Sequence, residues 1–445
     1  MPGAVVNVLL KNILKESFWY NKIYKNLIKS YKYSKDEIEE LNLFKIRKLL
    51  IHSYKNVPYY RDLFDSISFN PNINSLEELN KLPIIDKKIV KENYDRLISK
   101  SYYNKVLKKT VKTSGSTGMP LKIVRSIHSM NFENAILNRF WEKSLNSNTN
   151  YKWVVLRGDD IVSKNKKTPP FWKKIKISNK LIMSSYHLNN ITAMDFIEKL
   201  IEYSPDIMYA YPSTAYLLAL YVEKYKVNVS IKFIFTSSEM LLDKQKRKIE
   251  KVFNGKIYDW YGQSERVSAI FNCNIGNYHI VEDYSYTELI KSDLGFEIIG
   301  TNTENYLMPL IRYRTGDIVE KSNVSCTCGT SFRSISKIFG RELDYIITKN
   351  NDKIPYTIMS FCVDKIDNIY ESQFVQLNYE ELVINIVVSD DFKDSDKNKL
   401  IDQANKILNN RIKIKVNIID EIKRGPSGKF KAIDSFLSSR KRFEI

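Results

Sequence analysis

Between Thr113 and Lys122 the chain reads Thr-Ser-Gly-Ser-Thr-Gly-Met-Pro-Leu-Lys, with hydroxyl side chains around two glycines and then a lysine. Glycine permits close backbone approach and left-handed conformations, so such a loop can turn several N–H groups and hydroxyls toward one anion. Polyphosphate is the natural occupant. The spacing is not that of a Walker loop, which ends in Gly-Lys-Ser/Thr, so an ordinary P-loop ATPase is disfavoured. Taken alone, the segment reads equally well as a flexible Ser/Gly surface turn.

A second set of reactive side chains lies downstream. Cys273, His279, Cys326 and Cys328 form the pattern Cys-x5-His followed by Cys-x-Cys-Gly, and use three of the four cysteines and one of the four histidines. Three thiolates and an imidazole make a closed tetrahedral zinc set, and closed sets are structural rather than catalytic. The alternative is a group of unmetallated thiols beside an unrelated histidine, because Cys-x-Cys is a looser signal than paired Cys-x-x-Cys. Cys362 has no companion in the sequence and reads as a small hydrophobe.

The elements that must position these groups need a large body. At 445 residues with 43% hydrophobic content, two domains are expected, since single cores stop growing at about 300 residues. The formal charge of +19 could attract nucleic acid or an acidic membrane. However, the lysines are spread along the chain and accompanied by acids, flanking Lys87–Lys91 and within Lys246–Lys251, which suits solvated helix faces. No specific nucleic-acid partner is expected. No stretch reaches the roughly 20 apolar residues of a spanning helix; Met208–Val222 comes nearest and reads as a core helix. Met1–Leu10 has neither a basic leader nor a cleavage site, and a cytoplasmic protein is expected.

Residues 36–54 place apolar side chains at mostly helical spacing, and Asn56-Val57-Pro58 ends that run, giving a helical lead-in. Strand candidates then alternate with helices: strands at 153–156, 207–210, 233–236 and 256–260, helices at 195–203 and 242–253. That alternation implies an α/β body with mostly parallel sheets. From Leu343 the order becomes strand 382–388, helix 394–409 and strand 412–419, a small α+β domain. The boundary is expected near 340–344, giving domains 1–340 and 341–445.

Four further segments follow in order: Tyr261-Gly262-Gln263-Ser264-Glu265, Tyr313-Arg314-Thr315-Gly316-Asp317, Gly340-Arg341 with Asp344, and Gly428-Lys429. With the Thr113–Lys122 loop, this series resembles the adenylate-forming superfamily of acyl- and aryl-CoA synthetases, adenylation domains and luciferases. The length, Ser237-Ser238-Glu239 and the compact C-terminus are most similar to the phenylacetate-CoA ligase family, including its capsular polysaccharide biosynthesis branch. The resemblance runs from about residue 50 to the C-terminus.

It implies a large ATP- and acyl-binding domain and a mobile C-terminal lid. Ser114, Gly115, Ser116, Thr117, Gly118 and Lys122 would hold the β- and γ-phosphates, and Glu265 would bind Mg²⁺, a hard ion suited to carboxylate oxygen. Asp317 would accept hydrogen bonds from the ribose hydroxyls, with Arg341 nearby. Ser238 and Glu239 would sit in the adenine-contacting turn, with Tyr261 stacked on the base and Gly262 and Ser264 beside it. Asp344 would be the hinge. Lys429 would bridge the carboxylate and the α-phosphate; Lys431 is the competing lysine, and the preceding Gly428 selects Lys429. Some relatives carry a similar zinc cluster. His187 and Tyr211-Pro212-Ser213 are candidates for the acyl pocket, and His128 for an approach to the phosphates.

The implied reaction consumes ATP and a carboxylic acid to give acyl-adenylate and pyrophosphate, followed by transfer to CoA. Transfer to an amine or hydroxyl, for example on a surface-polysaccharide precursor, is the alternative. A basic nucleic-acid- or membrane-binding protein without catalysis is the third reading, disfavoured by the presence of Lys122, Glu265, Asp317, Arg341 and Lys429. The resemblance allows a homodimer.

Overall fold

In the computed structural model, residues 18–112, 121–145, 150–159, 161–322, 326–341, 345–366, 368–425 and 427–437 are described. The Ser114–Gly118 part of the candidate phosphate loop, Asp344 and the Met1–Leu10 segment lie outside them. The described residues divide into two units: 150–257 with 339–437, and 18–145 with 258–338.

The first unit contains the parallel part of the fold. Strands Phe233–Ser237, Ile207–Ala210, Trp153–Arg157 and Lys180–Ser184 lie side by side in that order, all parallel, and Trp172–Ile175 runs antiparallel at the edge. Helices Ala193–Tyr203, Pro212–Lys224 and Asp243–Phe253 connect them and bury Phe196, Leu200, Leu218 and Ile249 against Val154, Leu156, Met183 and Met208. The segment expected as one core helix, 208–222, is instead a strand and a helix. Proline fixes φ and cannot donate to a preceding turn, so Pro212 serves as the first helical residue rather than an interior one.

The same unit carries a small four-stranded sheet, ordered Lys413–Ile418, Glu381–Val388, Ile369–Gln376, Ile433–Ser435. The central pair is antiparallel and both outer pairs are parallel. Period-two alternation sends Leu382, Ile384 and Ile386 to one face, where Leu400 and Ala404 of helix Asp394–Ile407 cover them. Cys362 is buried in this core and donates to the Met359 carbonyl at 2.9 Å, as a small hydrophobe would.

The second unit begins with the helical lead-in. Helix Lys35–Asn56 starts on a capping box, Ser34 Oγ accepting from Glu37 N–H at 3.2 Å, and ends at Val57 before Pro58 opens the next helix. Its strands run Tyr286–Ser292, Gly295–Thr301, Tyr313–Lys321, Ser334–Arg341, Tyr278–Ile280, Ala269–Asn272 and Lys256–Gly262 in spatial order. The pairings described here are antiparallel, with short connections between successive strands. The parallel pairings of the 153–237 stretch accompany the alternation of strand and helix there.

Candidate active site

Within the second unit, the strand Lys256–Gly262 delivers Tyr261 and then a turn bearing Ser264 and Glu265. The Tyr261 hydroxyl donates to Asp317 Oδ2 at 2.7 Å. Asp317 is 8% exposed, and its N–H donates to Thr315 Oγ1 at 3.1 Å, fixing the backbone from which the carboxylate projects. Tyr313, buried on the same strand, donates its hydroxyl to Glu265 Oε1 at 3.3 Å. The segments holding Tyr261, Glu265 and Asp317 are therefore brought together around two tyrosine–carboxylate hydrogen bonds. A half-buried carboxylate with one oxygen oriented by a tyrosine is a suitable donor for a hard cation, so Glu265 fits Mg²⁺.

Behind this turn lies a charged relay. Glu133, on helix Ile127–Ser144, is 8% exposed and pairs with Arg125 at 2.6 Å through one oxygen and Arg266 at 2.7 Å through the other. Arg266 follows Glu265 and adopts φ +59°, whereas Arg125 lies in strand Lys122–Ser126, which continues directly from the phosphate-loop sequence. Lys122 itself begins that strand and is exposed. His128 meets Glu304, Nε2 to Oε2 at 3.2 Å.

The first unit holds the other candidates. Ser238 adopts φ +74° after strand Phe233–Ser237, and its Oγ accepts from Arg157 Nη2 at 2.8 Å. The Arg157 guanidinium also lies over the Tyr209 and Tyr211 rings, 4.5 and 5.0 Å from their centroids. Glu239 is engaged with backbone: Oε1 accepts from Phe430 N–H at 2.6 Å and Oε2 from Ser213 N–H at 3.2 Å. Lys429, part-buried, sits in a closed turn in which Gly425 N–H donates to Lys429 O at 2.9 Å. Lys431 pairs with Asp434 at 2.6 Å on the surface. Arg341 ends strand Ser334–Arg341. His187 is buried, stacks on Phe171 at 4.8 Å and shares a 2.8 Å hydrogen bond with Ser184; burial lowers its pKa, which favours the neutral ring.

The sulfur and imidazole groups form a cluster in the second unit. One donor atom from each of Cys273, His279, Cys326 and Cys328 lies within 4.8 Å of every other. Cys273 Sγ is 3.7 Å from Cys326 Sγ, and Cys328 Sγ is 3.5 Å from His279 Nε2. Edges of that length suit a tetrahedron with zinc–ligand bonds of about 2.0–2.3 Å. His279 Nδ1 is 3.0 Å from the Phe332 carbonyl, the outer hydrogen bond that turns Nε2 toward a metal. Burial pushes the Cys328 thiol up to about 12, while hydrogen bonds from Asn277 and the Cys328 backbone overcome burial to hold Cys326 below its ordinary value. Three sulfurs and one imidazole at these separations fit a structural zinc.

Two groups, Gln263 and Arg157, escaped sequence reasoning. Gln263, inside the Tyr261–Glu265 segment, has both side-chain amide atoms buried without a hydrogen-bond partner among the described residues. Only coordinates reveal that. Arg157 stands at the carboxyl end of a parallel strand, where α/β sheets bind ligands, and this position was a usable signal.

A profile described as the CapK C-terminal domain matches residues 346–435. Protein CapK of Staphylococcus aureus is 27% identical over 96% of this chain and 95% of its own length. The phenylacetate-coenzyme A ligase of Aromatoleum evansii is 24% identical over 73% of this chain and 75% of its own. Among solved structures, 2-hydroxyisobutyryl-CoA ligase in the postadenylation state aligns with a TM-score of 0.71 at 16% identity, covering 93% of each chain, a likeness of fold. These likenesses support a place in the adenylate-forming superfamily, in the phenylacetate-CoA ligase-like branch that includes CapK.

Proposed function

We propose that this protein is an ATP-dependent, AMP-forming ligase that activates a carboxylic acid and passes the acyl group to CoA. The observation that carries the reading is the convergence of the Tyr261–Glu265 turn with Asp317 through the Tyr261–Asp317 hydrogen bond. Activation is attack of a carboxylate oxygen on the α-phosphorus, with pyrophosphate leaving, and the site must offset crowded negative charge in the transition state. Lys429 supplies a compact positive charge there, Lys122 and the Ser114–Gly118 loop receive the departing phosphates, and Asp317 holds the ribose. Glu265 would hold Mg²⁺, which neutralises phosphate charge when bound. The segment 341–445 acts as the lid, with Asp344 as its hinge and Arg341 beside the ribose.

Cys273, His279, Cys326 and Cys328 would hold a structural zinc that pins the loops flanking the Asp317 strand. A second reading has an amine or hydroxyl as acceptor, for example on a surface-polysaccharide precursor. It is favoured by the CapK match over 96% of this chain, against 73% for a phenylacetate-coenzyme A ligase. No helix among the described residues is long and apolar enough to cross a membrane.

Pyrophosphate release across aryl, fatty, hydroxy and amino acids, each with and without CoA, tests the reading. Release with one class of acid, accelerated by CoA, is expected. Acyl-adenylate that accumulates despite CoA would exclude CoA as acceptor. Absence of release with every acid, together with a salt-sensitive nucleic-acid gel shift, would sink the ligase reading.

A further inference from the structure

We propose that Glu239 is a positioning residue for Lys429, a two-pronged acceptor that docks the lysine's loop for adenylation; this rests on reading Lys429 as the charge at the α-phosphate. One carboxylate oxygen receives the N–H of Phe430, the residue after Lys429, at 2.6 Å. The other receives the N–H of Ser213 at 3.2 Å, in the first turn of helix Pro212–Lys224. First-turn N–H groups have no partner within their own helix, and the helix N-terminus favours negative charge. Tyr211, at the N-cap of that helix, makes no side-chain capping bond, so Glu239 does the capping and ties the cap to the lysine loop.

Three further contacts show that the loop is seated rather than merely nearby. The Tyr211 hydroxyl donates to Ser427 O at 3.0 Å. Gly158 lies so close that a Cβ there would come 2.0 Å from Ser427 O and 2.9 Å from Gly428 Cα, and Gly428 itself adopts φ +74°. Only glycine at both positions allows that approach. Just before the loop, the Arg424–Glu371 ion pair anchors the chain in the interior, with side chains 9% and 8% exposed. Apart from this flanking pair, each contact holds loop backbone; none named here uses the Lys429 ammonium. They set where the charge is without competing for it.

A carboxylate accepts at both oxygens, whereas glutamine accepts at one and presents N–H₂ to the other donor. Glu239→Gln should therefore release the loop selectively. Two measurements on the full chain test this. Hydrogen exchange at the Phe430 amide should quicken about tenfold in E239Q, with amides in the later turns of helix Pro212–Lys224 unchanged. ATP–pyrophosphate exchange should fall about tenfold, and by a larger factor than reaction of preformed acyl-adenylate.

Unchanged exchange at Phe430, or equal loss of both half-reactions, overturns the proposal. If E239Q disturbs the whole helix, Glu239→Asp, one methylene short of spanning both donors, should still quicken Phe430 exchange; failure to do so also overturns it. Lys429→Ala separates the layers. If K429A keeps pyrophosphate exchange, the role of Lys429 fails and the proposal with it. If K429A loses pyrophosphate exchange and E239Q does not, the proposal alone fails.

Discussion

Tyr261 and Asp317 are joined by a 2.7 Å hydrogen bond from the phenol to the carboxylate Oδ2. The bond sets the orientation of the acid proposed to grip the ribose, and on that proposal Tyr261 would act on the nucleotide through its hydroxyl. Tyr261→Phe should raise KM for ATP about three- to tenfold with a smaller change in kcat, the worth of one hydrogen bond to a charged group. A phenylalanine keeps ring stacking. An unchanged KM would therefore assign Tyr261 to stacking on the base instead.

Gln263 carries a donor and an acceptor side by side, both buried and unpartnered among the described residues. Leaving them unmet costs about 1–3 kcal/mol, which a ligand offering a matching donor–acceptor edge would recover. Gln263→Leu should therefore raise KM about tenfold for one substrate, either ATP or the acid. Separate KM measurements for the two substrates identify which edge is read. If neither moves, the amide has no ligand.

Glu133 sits between two guanidinium groups, 2.6 and 2.7 Å away, and removing its charge leaves the buried Arg125 and the half-buried Arg266 against a neutral side chain. Breaking such a pair costs about 3–5 kcal/mol. Glu133→Gln should lower stability toward urea by about that amount and weaken the Mg²⁺ dependence of pyrophosphate exchange, because Arg266 is adjacent to Glu265. A stability loss with an unaltered Mg²⁺ titration would make the relay purely structural.

Much of the framework was legible because its period is local. The alternation of strand and helix gave the strands Trp153–Arg157, Ile207–Ala210 and Phe233–Ser237 to within a residue but missed the parallel strand Lys180–Ser184, and period-two Leu382, Ile384 and Ile386 gave the strand Glu381–Val388. The hairpins at Tyr286–Thr301 and the strand Ile369–Gln376 went unread, since their pairing depends on partners distant in sequence or on turns without an Asn-Gly signal. At the site, motif order pointed to Tyr261, Glu265 and Asp317. Sequence could not show that Glu239 accepts from Phe430, 191 positions away, because that contact exists only after the two segments fold together.

The Cys273, His279, Cys326 and Cys328 cluster predicts about one equivalent of zinc per chain in purified protein. Cys328→Ala should abolish stoichiometric zinc and lower the midpoint of thermal unfolding by several degrees, because metal that binds only the folded state stabilises it. Less than about half an equivalent of metal, with no change on chelation, would leave the cluster as buried thiols.

Glu304 supplies a pH-dependent term. Burial alone would raise its carboxyl, but Lys45 at 2.8 Å and a hydrogen bond from His128 outweigh burial and hold it at about 2. The unfolded carboxyl titrates near about 4.3. With the folded value depressed, this stabilisation is fully present above about pH 5 and is lost as pH falls toward about 2. Glu304→Gln should thus cost about 3 kcal/mol at pH 7, with the gap from the parent closing as urea unfolding is repeated at progressively lower pH. A gap that stays constant across that range would mean that shape and packing, rather than the Glu304 charge, account for the loss.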